Sequence, residues 1–244
     1  MKALNYINVR TFLAIAISQL ATFLTIQYHW KLSHNILLFS LAIVFPLHFS
    51  LQAAFKRREK ALEYFSLFKA GAIAVHFSFQ VSEDLPDDKK LQARSTIKKM
   101  VKTLIDQLEA FKPGFETMQL RLNEVMDFAV ANRDALSKKN VLRIIRYMKD
   151  VTESAAYLTS LVSHRTMAGI RFYSTLFILM FPFVQAPIVM HMIGSHVAHW
   201  VLYLVAASAS FVIITLDNFQ KMIEYPFDPK GQDNIQVREF DLDI

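Results

Sequence analysis

Leu41, Phe45 and Phe49 are spaced i, i+4 and i+8 inside a stretch, Asn35 to Phe55, that contains no Asp, Glu, Lys or Arg. On an α-helix this spacing draws one stripe, rising over about 12 Å at about 1.5 Å per residue. The chemistry available to it is exclusion, not bond-making. Repeated around an axis, apolar rings shut out water, and the positive edge of a Phe ring can face a partly dehydrated anion. The same stripe also suits plain helix packing, the common use of aromatic residues at helical spacing.

Lys56, Arg57, Arg58 and Lys60 follow directly, with Glu59 and Glu63 interleaved. In several copies around a pore mouth such a cluster concentrates anions and repels cations. It serves equally as the basic flank that keeps a membrane helix end in the cytoplasm. Pro46 removes a backbone donor within the stripe and kinks the helix, either as a gating hinge or as one of the prolines that membrane helices commonly carry. His48 lies about 100° around the helix from Phe49 and reads as a packing residue between helices.

His191, His196 and His199 are the remaining constellation. Imidazoles accept transition metals, but no carboxylate or cysteine accompanies these three, which favours a surface role. The chain has no cysteine, which removes disulfides, thiolate metal sites and cysteine nucleophiles. Five glycines in 244 residues leave no phosphate-cradling loop. No nucleophile, base and orienting group assemble, so no enzyme is expected. The net charge of +6 is concentrated beside the apolar stretches, where anionic lipid headgroups account for it. Nucleic acid is therefore not an expected partner, and the lipid bilayer is.

The elements that position these residues follow from composition. Hydrophobic side chains make up 53% of the chain, with 21 Phe, more than an ordinary soluble domain of this size carries. Four uncharged segments hold the excess, at about 11–28, 35–55, 172–190 and 200–216. Each approaches the roughly 20 residues that span hydrocarbon. They pair as two hairpins, giving an N-terminal segment and first hairpin over 1–55, a helical region over 56–168, a second hairpin over 169–217 and a tail over 218–244. Basic residues fall at Lys2 and Arg10, Lys56 to Lys60, Arg165 and Arg171, and Lys221, whereas the opposite turns carry only Lys31. Both termini and the middle region are thus expected inside a cell membrane, with Trp30 and Trp200 at the outer interface. The second span should continue through Glu59 to Phe79. Further helices are expected from Asp87, over Glu116 to Ala131, and from Ser137 onward. The prolines at 226 and 229 start an extended tail whose Ile235 and Val237 should dock on another surface.

Phe45 to Ala61, read as Phe-x-Leu-x-Phe-x-x-x-Ala-x-x-x-Arg-x-x-x-Ala, resembles the pore-helix exit of bestrophins, ion channels in which five subunits surround one axis. Ser163-His164-Arg165-Thr166 resembles the opening of the third membrane helix in bacterial members. Tyr225-Pro226-Phe227-Asp228 resembles the start of the family's C-terminal belt. The resemblance covers nearly the whole chain and implies an all-α homopentameric channel for monovalent ions. Leu41, Phe45 and Phe49 would form its neck and the basic cluster its mouth. Anions such as chloride are the favoured cargo. A cation-selective channel of the same fold and a non-conducting scaffold stay open, whereas spans without carboxylates disfavour a coupled transporter.

The same resemblance places a second, cytoplasmic constriction near Ala155 and Ala156, where small side chains imply a wide aperture. Animal members bind calcium through an acidic run after the belt motif. Here Asp228 and Asp233 are separated by Pro-Lys-Gly-Gln, a poor start on the several oxygens that calcium takes. No cofactor is expected.

Overall fold

The computed structural model describes residues 7–33, 36–112, 114–163, 168–193, 198–227, 235 and 237–240. Among them are seven α-helices, α1 (Val9–Gln27), α2 (Ile36–Gln80), α3 (Asp87–Glu109), α4 (Glu116–Ala131), α5 (Lys138–Ser163), α6 (Ala168–Ile193) and α7 (His199–Ile223), then a 3-10 helix over Val237–Phe240 and no β-strand. Two compact units result, Met1–Phe55 with Thr166–Glu224 and Lys56–Arg165 with Tyr225–Ile244. Helix α2 passes from the first into the second without a break.

In the first unit, α1, α6 and α7 pack on one another, with Ala14, Ile178 and Ile214 meeting between them. The start of α1 is set by a capping box: Asn8 Oδ1 accepts from the backbone N–H of Arg10 and Thr11 at 3.0 and 3.3 Å, and Thr11 Oγ1 accepts from the Asn8 N–H at 3.3 Å. Among the described residues, three helices are long and apolar enough to cross a membrane: Val9–Gln27, Phe172–Met192 and His199–Ile223. The segment expected as the second span, 35–55, falls in the first half of α2, which is not one of these three, and Asn35 lies outside the described residues. Helix α7 runs past the expected end at Leu216, to Ile223, and two of its polar residues there have partners. Asp217 is paired with Lys221 one turn on, and Asn218 is bonded back to α1. Pro46 sits inside α2, and Pro182 and Pro187 inside α6.

The second unit is a helical bundle. Ala61, Phe65, Phe68, Ala72, Val75 and Phe79 repeat at steps of four and three along α2 and are buried. That is a coiled-coil-like seam. Against it lie Ile97, Met100 and Leu104 of α3, Leu122 and Val125 of α4, and Ile144, Val151 and Leu158 of α5. Gly71 lets α5 come close, since a Cβ built there would stand 2.6 Å from Val151 Cγ2. Asp87 and Asp88 in the first turn of α3 complement its dipole. Gly114, at φ 118°, carries the chain from α3 towards α4.

The tail docks on this bundle. Phe227, Ile235 and Val237 join its core, and the Ile235 N–H donates to the Pro226 carbonyl at 2.7 Å. It does not stay extended throughout, because the chain tightens into the 3-10 helix from Val237. There Arg238 donates Nε and Nη2 to the Glu109 carboxylate, at 2.8 Å to Oε1 and 2.8 Å to Oε2 respectively.

Candidate functional site

The outer half of α2 has two faces. Leu47, Ser50 and Ala54 are buried, packed within their own unit. Leu41, Phe45 and Phe49 are 44%, 49% and 62% exposed. Such a contiguous run of large exposed apolar side chains needs a cover of lipid or protein. Successive members of the stripe advance by about 40° around the axis at about 100° per residue. The stripe therefore winds, and Phe45 and Phe49 stack along it with ring centroids 6.2 Å apart. Beside them a crevice of about 460 Å³ is lined by Phe45, Pro46, Phe49 and Ser50 of α2 and by Gly169 and Tyr173 of α6. Pro46 is half-buried at its edge.

His48 is not a packing residue within the subunit. It is exposed, and its Nε2 accepts from the Gln52 side-chain amide Nε2 at 2.9 Å. Seven residues separate His48 from Leu41, which returns it to within about 20° of Leu41. A polar His48–Gln52 pair thus shares the open face with the apolar stripe.

The basic cluster divides. Lys56 and Glu59 are exposed. Arg57 is half-buried and donates to the Leu161 carbonyl at 2.7 Å, tying α2 to the end of α5. Arg58 is also half-buried. Lys60 donates to Glu63 Oε2 at 2.6 Å, and that hydrogen bond holds its ammonium above the usual lysine range. The exposed face past the stripe thus bears charges of both signs.

Ala155 is completely buried in the bundle core and Ala156 is half-buried. A methyl with no surface inside its own subunit cannot line an aperture, so Ala155 is corrected to a core residue. Asp228 and Asp233 lie outside the described residues, as do His164 to Thr166 and His196. Among the described residues no three His, Cys, Asp or Glu side chains converge as a metal site. His191 and His199 are exposed.

Membrane-length apolar helices in one unit and an amphipathic bundle in the other define an all-α protein of the membrane-helix type. No family model and no curated protein matches the sequence. Solved structures do match: two variants of a bacterial bestrophin homologue from Klebsiella pneumoniae superpose with TM-scores of 0.74 and 0.75, each at 14% identity, covering 95% of this chain and 93% and 94% of theirs. A further crystal structure, described as that of a membrane protein, gives a TM-score of 0.78 at 13% identity, with 95% and 93% coverage. The chain has the fold of the bacterial bestrophin homologues.

Proposed function

We propose that this chain is a subunit of a bestrophin-like ion channel, five copies of which surround a pore lined by the open face of α2. The observation that carries the reading is the exposure of Leu41, Phe45 and Phe49 on a helix whose opposite face is packed. In a ring their side chains form an apolar neck that closes by dewetting and conducts when the helices spread. On this reading both termini and the bundle lie in the cytoplasm, the side that the basic flanks of the spans favour. The partners are then further copies of the chain, the bilayer and permeating monovalent ions, with no nucleic acid and no cofactor. A non-conducting scaffold would leave the same face covered but dry.

Anions such as chloride remain the first choice of cargo, on the strength of Lys56 and of ten Phe edges at the neck. A cation-selective channel is the second reading, and the exposed Glu59 favours it. Particle symmetry and reversal potentials test both. A fivefold particle with α2 nearest the axis supports the pore, and a monomer or dimer removes it. Under anion selectivity Lys56→Gln shifts the chloride reversal potential and Glu59→Gln sharpens chloride preference; under cation selectivity Glu59→Gln abolishes sodium preference.

A further inference from the structure

Asn218 of α7 donates its side-chain amide to Asn8 Oδ1 and Thr11 Oγ1, at 3.2 and 3.1 Å, so the start of α1 and the last turns of α7 lie together. Between them and α6 opens a cleft of about 210 Å³. Its lining is sorted along the helix axes. Arg10 and Lys221 stand at one end, and Leu13, Ile17 and Leu179 line the rest. Ile17 is seven residues beyond Arg10, so the apolar trough extends about 10 Å from the level of the guanidinium.

The charges at the closed end do not cancel. Asp217, buried at the base, pairs with Lys221. Arg10 is exposed, and its guanidinium has no ion-pair partner among the described residues. One positive charge is left over at the mouth of an apolar trough, on a surface where α1 and α6 expose Leu13 and Leu179. A free phosphate would match the cation and leave the trough empty. A zwitterionic headgroup would match the trough and bring no net charge to Arg10. An anionic phospholipid matches both, since headgroups of that sign gather at basic ends of membrane helices.

We propose that this cleft binds one anionic phospholipid, its phosphate against Arg10 and Lys221 and an acyl chain along Leu13, Ile17 and Leu179. The site stands apart from the pore reading, and its test needs no conduction. The full chain in dodecyl maltoside is melted with added dioleoylphosphatidylglycerol, dioleoylphosphatidylcholine or inorganic phosphate. The expected result is a rise in melting temperature of several degrees with phosphatidylglycerol alone. Arg10→Gln and Ile17→Trp, which remove the cation and fill the trough, should each lose most of that rise. Arg10→Lys and Lys31→Gln, the latter outside the cleft, should keep it. The site is overturned by equal protection from phosphatidylcholine or from inorganic phosphate. It is likewise overturned by a full rise in Arg10→Gln or Ile17→Trp, or by a loss in Lys31→Gln as large as in Arg10→Gln.

Discussion

Phe45 and Phe49 stack one turn apart on α2, with ring planes inclined by only 15°, and both rings remain open on the side away from the packed helix face. Aromatic pairs of this kind gain from the offset contact itself. In the proposed ring the pair would present two apolar levels in each subunit. Truncating either ring should widen and wet the neck. Phe45→Ala and Phe49→Ala are expected to raise ion flux severalfold in liposomes without changing the oligomer. Unchanged flux in both would remove these rings from the conduction path.

His76 should make the bundle sensitive to acid. Burial, and then the charges of Arg94 and Lys98, hold its imidazole below the usual value of 6.5, and its Nδ1 is buried without a partner. The unfolded chain consequently takes up the proton first as pH falls. The stability that depends on neutral His76 is complete above pH 6.5 and is lost on acidification through the depressed folded value. Thermal melting of the wild type should weaken between about pH 7.5 and about pH 5.5, and His76→Gln should flatten that slope. An unchanged slope in the variant would assign the effect to other groups.

Gly71 and Val151 set the spacing of α2 and α5. A Cβ at Gly71 would meet the branched Val151 side chain at 2.6 Å, well inside contact distance. Gly71→Ala should cost roughly 1–3 kcal/mol through overpacking. Adding Val151→Ala to it should recover part of the loss, which a double-mutant cycle in denaturant-induced unfolding would measure.

The tail is held by its apolar residues more than by its ion pair. Val237 is 2% exposed, whereas the Arg238 side chain is 81% exposed beside a half-buried Glu109 carboxylate. Exposed pairs contribute little, and an unpaired carboxylate in a core is costly. Limited proteolysis should therefore cut the tail readily in Val237→Asp and hardly faster than wild type in Arg238→Gln. Equal release in both would transfer the anchoring to Arg238.

Much of the helical architecture was legible because its signals are local. The four-three spacing of Ala61 to Phe79, the Asp87-Asp88 start of α3 and the extent of α4 over Glu116–Ala131 all follow from periodicity and from acidic residues in the first turn. The stripe of Leu41, Phe45 and Phe49 was legible for the same reason. What escaped depends on partners distant in sequence. Ala155 was placed by counting along the chain, and only the packing of α5 shows its methyl turned into the core. Arg57 reads as part of a basic mouth until the Leu161 carbonyl is seen to hold it. The close approach at Gly71 and the isolation of His76 have no local signature at all.

The central claim is that the open face of α2 lines the pore, and the absence of any native cysteine permits a clean test. Phe45→Cys and Leu47→Cys, on the open and the packed face respectively, are reconstituted and exposed to a charged methanethiosulfonate reagent while chloride and sodium flux are recorded. The account predicts rapid loss or marked change of flux in Phe45→Cys and none in Leu47→Cys. Labelling of Phe45→Cys that is verified by mass and leaves flux unchanged would contradict it.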